Sequence, residues 1–199
     1  MAYSAFSLTK AQDQLGLEFR TTDLFPGVPA VPPPGWLIEG LARGRELTIS
    51  SEKARNEFLV APVLLAAREV TGKAFVIYSG TTFDVDVDRG LNGECDFILA
   101  AQDPLPIVQA PILTMVEAKK ADIDDGLGQC VAQTVAAAVF NDRRGRGGRP
   151  AFGCVTTGDA WQFLRLDGAV VTFDRIRREL SDLPGLLGVF SQIVRATAG

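Results

Sequence analysis

The chain has 199 residues, 47% of them hydrophobic and 22% charged, which suits one ordinary globular domain with a sizeable core and excludes a disordered or fibrous chain. Its net charge of −4 argues against a protein that coats nucleic acid by electrostatics alone. It contains no histidine, which removes Ser-His-Asp and Cys-His nucleophile systems, histidine zinc sites and histidine-based phosphodiesterases, and leaves carboxylates, Lys, Gln, Ser/Thr or a hard metal to carry any chemistry.

Residues 6–15 read as a short helix with Ser7 as its cap and Gly16 where it stops, and 17–20 as a brief strand. Between 21 and 35 stand Pro26, Gly27, Pro29, Pro32, Pro33, Pro34 and Gly35, a composition that propagates neither helix nor sheet and marks a linker or an arm lying on the surface. Residues 36–43 form another short helix. A longer one is expected over 50–70, with Ser51 as N-cap, Glu52 near the positive helix end, and Ala54, Phe58, Ala61, Leu64 and Leu65 as its apolar stripe. Pro62 removes one hydrogen bond from that helix, so a bend is expected there.

Three strand-like runs follow at 74–82, 93–101 and 112–118, each β-branched or aromatic and bounded by Gly, Asp or Pro; Asn92-Gly93 suggests a turn between antiparallel neighbours. A helix at 124–141, a basic glycine-rich loop at 142–150 and strands at 151–156 and 160–166 come next. A closing helix is expected from about residue 174, broken near Pro184-Gly185. The order predicts an α/β protein, a mixed β-sheet flanked by helices. Residues 1–49 are expected to pack as helices and arm on a core formed by 50–199, one structural domain overall.

Cys95, Cys130 and Cys154 include no Cys-x-x-Cys pair and read as buried free thiols. No apolar run approaches the ~18 residues of a membrane span, and the first residues lack the basic stretch of a signal peptide, so a cytoplasmic protein without a membrane partner is expected.

The chemistry concentrates on two strands. Alternation puts Cys95, Phe97 and Leu99 on one face and Glu94, Asp96 and Ile98 on the other. Asp96 thus sits within a hydrophobic strand, where an unpaired carboxylate is costly and calls for a partner. The next strand ends in Glu117-Ala-Lys-Lys120, with Glu117 and Lys119 on the same side one pleat apart. Antiparallel pairing would bring Asp96 within one cation of Glu117. Two carboxylates on adjacent strands make an all-oxygen site for Mg2+ or Mn2+, with room for waters and a phosphate. A neighbouring ammonium can orient water and stabilise charge on a pentavalent phosphorus.

Asp96 followed by Glu117-Ala-Lys119 on a hydrophobic strand, and then by a helix, resembles the PD-(D/E)XK (restriction-endonuclease-like) superfamily, although Glu94-Cys95 stand where the family name has proline. Gly90-Leu-Asn-Gly-Glu-Cys-Asp-Phe97, Val116-Glu-Ala-Lys119, Gly126-Leu-Gly-Gln-Cys130 and the run from Val155 to Leu164 look like a bacterial single-domain branch of it. The resemblance implies an α-β-β-β-α-β core with N- and C-terminal additions. It implies Asp96 and Glu117 as ligands of Mg2+ (or Mn2+), Lys119 as the catalytic lysine, and hydrolysis of phosphodiester bonds in nucleic acid, DNA before RNA, with a homodimer left open. Members carry an acidic residue on the helix before the first strand; Glu57 is the best match and Glu52 the second. Several branches place a glutamine on the helix after Glu-x-Lys, here Gln133 or Gln129, which share one helical face.

Asp84, Asp86 and Asp88 lack the glycine and distal glutamate of an EF-hand and read as a solvated strand end. The arginines from Arg143 to Arg149 make either a solvated loop or a grip on phosphates. Trp161 and Phe163 read as core. The alternative function is a catalytically inactive member of the same architecture, a binding or protein-interaction module, which the acidic charge and the lack of a DNA-reading domain favour.

Overall fold

A computed structural model describes residues 2–197 of the chain. Local signals set the first helix ends. Ser7 Oγ accepts from the Lys10 amide at 3.2 Å and starts α1 (Leu8–Leu15). Gly16, at φ 67°, ends it in the left-handed conformation that glycine adopts without a steric penalty. A short strand β1 (Glu18–Thr22) follows, then the proline-rich segment, which is an arm bound to the body of the protein: Phe25 is buried, and the Val31 amide donates to Pro184 O at 2.9 Å. The next helix, α2 (Gly35–Arg45), sends Leu37 and Leu41 into the core.

The helix expected over 50–70 is built in three pieces. Ser51 caps α3 (Glu52–Arg55), a five-residue π-helical turn runs from Asn56 to Val60, and α4 (Ala61–Val70) completes it. Pro62 explains the division. It has no N–H to donate and its ring crowds the carbonyl four residues back, whereas in the first turn of α4 that N–H is not needed. The π turn absorbs the mismatch through wider-spaced hydrogen bonds.

Strands β2 (Val76–Thr82), β3 (Glu94–Ala100) and β4 (Ile112–Ala118) are consecutive antiparallel neighbours. The 20-residue helix α5 (Asp124–Arg143) then crosses to β5 (Ala151–Thr156), which pairs parallel to β4. From β5 the chain turns back into β6 (Ala160–Asp167), and here the closing-helix expectation is corrected. Val170–Asp174 form a strand, β7, antiparallel to β6, and Arg178–Glu179 add a two-residue strand, β8. The run Val170-Val-Thr-Phe173 after a Gly168 turn is β-branched and aromatic, which favours a strand over a helix. The last helix, α6 (Leu183–Thr197), begins at Leu183 and holds Pro184 in its first turn, where proline starts a helix rather than breaking it.

The sheet order is β1-β7-β6-β5-β4-β3-β2, with β8 beside β6, so the protein is an α/β fold with a mixed, open eight-stranded sheet. Helices cover both faces. On one, α1 and α5 pack over Ile98, Met115, Val155 and Leu164; on the other, α2, α4 and α6 pack over Phe97, Val116, Phe163 and Trp161. β4 lies between the two cores and every one of its residues is buried. The three cysteines are buried and free. No described helix is long and apolar enough to cross a membrane.

Candidate metal centre

The ladder between β3 and β4 sets the site. It pairs Phe97 with Val116 and stops there, while β4 continues beside β5 through Glu117 and Ala118. Asp96 takes over where the ladder ends: its Oδ2 accepts the Ala118 amide at 2.8 Å, a backbone donor that a strand partner would otherwise have used. The side-chain alternation of β3 changes at this point. Gly80, at φ 59°, lies across from Asp96, and Cys95 packs with Ile98 and Ala100 on the α5 side while Phe97 and Leu99 face the other core. The simple alternation expected for Cys95, Phe97 and Leu99 is therefore broken at Asp96, which is turned toward the end of the sheet.

Glu117 is buried, with its side chain 4% exposed, and each of its oxygens has one donor. Lys119 Nζ reaches Oε1 at 2.8 Å and Gln133 Nε2 reaches Oε2 at 2.8 Å. Lys119 also donates to Gln129 Oε1 at 3.2 Å, so both glutamines of α5 meet the strand end, one through the lysine and one directly on the carboxylate. Gly126 makes this approach feasible. A Cβ there would sit 2.7 Å from Val155 and 3.0 Å from Lys119 Cγ, so the glycine leaves the lysine stem its path along the helix start.

The electrostatics follow from burial. Glu117 is pushed up to about 7, first by loss of solvent and then by the negative charge of Asp96, against the pull of Lys119 and Gln133. Asp96 is raised by burial too, opposed by the Ala118 amide, Lys119 and Asn56. Burial works against the charge of Lys119, but the Glu117 carboxylate outweighs it and holds the ammonium above its ordinary value. The Cys95 thiol is raised by burial and by the charge of Glu117, so it stays protonated and is no nucleophile.

Asp96, Glu117, Lys119 and Gln133 thus come together at one end of the sheet. Glu57 does not join them. It lies 3.9 Å from Lys53 in an exposed i, i+4 pair, while the residue before it, Asn56, donates to Asp96 Oδ1 at 3.2 Å. Successive helical residues stand ~100° apart, so presenting Asn56 to Asp96 turns Glu57 outward. Glu52, one turn before Asn56, is the helix acid whose charge acts on both Asp96 and Lys119. Asn56 was missed by sequence reasoning. The available signals were its i+4 spacing from Glu52 and its being a poor interior helix residue six positions before a proline.

Among the described residues no group of three or more His, Cys, Asp or Glu side chains is arranged to hold a metal ion. The acids that adjoin are two, and their surroundings are incompletely paired: the amide oxygens of Asn56 and Gln133 are both buried without a hydrogen-bond partner. Two carboxylates with two spare amide oxygens form a hard, all-oxygen donor set. Such a set fits a small divalent cation that keeps most of its waters.

The arginine loop lies elsewhere. Its four arginines run from Arg143, the last residue of α5, to Arg149, and start ~15 Å along the helix axis from Gln133 at 1.5 Å per residue. Three of its arginines are engaged: Arg143 with Val85 O and Asp86, Arg144 over the Phe140 ring at 3.5 Å, and Arg149 with Thr197 O at 2.6 Å. Asp86 is accordingly an ion-pair partner in the 83–93 connection. Trp161 and Phe163 are fully buried core. No family model matches the chain, and a search of curated proteins finds no match.

Proposed function

We propose that the protein is a divalent-metal-dependent nuclease of the restriction-endonuclease-like type, hydrolysing phosphodiester bonds of DNA. The observation that carries this reading is the adjoining pair Asp96 and Glu117 at the end of two neighbouring strands, where Lys119 on Glu117 is the only cation in ion-pair contact with either acid among the described residues. The run α4, β2, β3, β4, α5, β5, with β5 parallel to β4, supports the same architecture.

In this reading Asp96 and Glu117 hold Mg2+ or Mn2+, which supplies Lewis acidity and a more acidic water. Lys119 orients the attacking water and offsets negative charge as it builds on the phosphoryl oxygens. Gln133 fixes the Glu117 carboxylate through Oε2, and Gln129 keeps the Lys119 ammonium at the strand end. The test is cleavage of single- and double-stranded DNA, with RNA alongside, in Mg2+ or Mn2+. Wild type should cut only with metal, and Asp96→Ala and Lys119→Ala should not; equal activity in both variants would remove the mechanism.

One observation favours the second reading, a silent binding module: three of the four arginines from Arg143 to Arg149 are committed to internal contacts instead of forming a free basic track. A Mn2+-dependent rise in melting temperature without cleavage of any nucleic acid would select it.

A further inference from the structure

Asn56 and Gln133 stand in the same relation to the two acids. Each comes from a helix, each donates its amide NH2 to one carboxylate, at 3.2 Å to Asp96 and 2.8 Å to Glu117, and each keeps its amide oxygen buried and unpartnered. A buried amide that finds a partner for one half and none for the other is unfavourable as pure structure, because the orphaned oxygen has lost its water. The helix departs from regularity to arrange this: Asn56 is the first residue of the π turn, and Arg55 beside it is anchored to Thr157 O at 2.7 Å and to Asp159 at 3.2 Å, which pins the turn to the β5–β6 connection. π turns recur where a helix must present a side chain out of its normal phase.

From this geometry we infer that Asn56 is a positioning residue of the metal centre. Its nitrogen holds Asp96 in place, and its oxygen accepts from a water in the hydration shell of the cation. The inference rests on the metal-site reading above. A neutral amide suits this wall of the site. It orients water without adding a third negative charge beside Asp96 and Glu117, whereas a carboxylate there would tighten the cation at the expense of an anionic phosphodiester.

The experiment is Mn2+ binding followed by electron paramagnetic resonance and by titration calorimetry, on wild type, Asp96→Ala, Asn56→Leu and Asn56→Asp. Loss of an orienting partner outside the ligand set weakens metal affinity by roughly 10- to 100-fold, so Asn56→Leu should raise the Mn2+ dissociation constant at least about tenfold. Asn56→Asp should lower it, while cleavage at saturating Mn2+ falls. Dissociation constants within about twofold of wild type in both variants would overturn the inference. If Asn56→Leu does not fold, Asn56→Asp decides alone: tightening supports the role and an unchanged constant refutes it. Should Mn2+ binding depend on Asp96 but not on Asn56, only this inference falls. Should wild type bind no Mn2+, the metal-site reading falls with it.

Discussion

Two carboxamides on α5 face the same strand, and they are used in opposite ways. Asn141, near the C-terminal end of the helix, donates to Ile112 O at 2.9 Å and accepts from the Ile112 amide at 2.8 Å, so both halves of its side chain are paired. Gln133, two turns earlier, donates to Glu117 and leaves its oxygen unpaired although it is completely buried. The first is a staple that replaces a missing strand partner at the start of β4. The second stands beside an acid that burial has pushed up to about 7. Full satisfaction marks a residue that holds the fold, whereas a half-satisfied amide beside a destabilised charge is what the proposed metal site requires of Gln133.

The comparison can be broken most decisively at the receiving end. Lys119→Met should lower metal-dependent cleavage by about 10³-fold, roughly 4 kcal/mol of barrier, in single-turnover assays. A variant that cuts as fast as wild type would return Gln133 and its neighbours to ordinary structure.

The next effect is in pH. Glu117 titrates near 7 when folded against 4.5 for its ordinary value, so the folded chain retains a proton that the unfolded chain has lost. That favours folding below about pH 4.5 and is progressively lost as pH rises through 7, by up to about 3 kcal/mol. Denaturant unfolding at intervals between pH 5 and pH 8 should show wild type weakening while Glu117→Gln stays flatter, and Mn2+ should offset the loss by displacing the proton. Identical slopes in the two proteins would mean that Glu117 is not the strained group.

Asn141→Leu sharpens the structural side. It leaves a buried N–H and a buried C=O of Ile112 without partners and should cost about 2 kcal/mol in urea unfolding, with Mn2+ affinity unchanged. The smallest effect belongs to Gln133→Met. Its stability should move by less than about 1 kcal/mol, since an orphaned acceptor disappears with the lost hydrogen bond, yet its Mn2+ affinity should weaken several-fold. If Gln133→Met were the more destabilised of the two, the distinction between staple and receiver would collapse.

Much of the frame was legible because its signals are local. Ser7 and Gly16 bound a helix, and the apolar run from Ile112 to Ala118 read as a strand. Glu117 and Lys119 follow from alternation along that strand. Where legibility failed, the cause was tertiary. Cys95 leaves its expected face because the ladder ends at Phe97 and Asp96 bonds a backbone amide instead. The choice between Glu52 and Glu57, and the presence of Asn56, turned on a helix phase that Pro62 and the π turn reset. β7 went unseen because its closing Asp174 and the arginines after it look like a helix start, while its pairing partners lie in β6 and, far away in sequence, in β1. The loop expected over 142–150 begins two residues later, because α5 runs on through Arg143, and only the length of α5 reveals that the loop lies far from the acids.

The pairing of β1 with β7 also has a consequence in time. Glu18 to Thr22 have their strand partners at Val170 to Asp174, and the arm that follows rests on Pro184. During synthesis the first strand emerges roughly 8–30 s before its partner, at the usual ~5–20 residues per second. Throughout that interval Phe25, Leu37 and Leu41 have no α6 to pack on. The candidate site has a different history. All of its residues lie between 52 and 133, so the acids can be assembled while both outer parts of the sheet are still waiting to close.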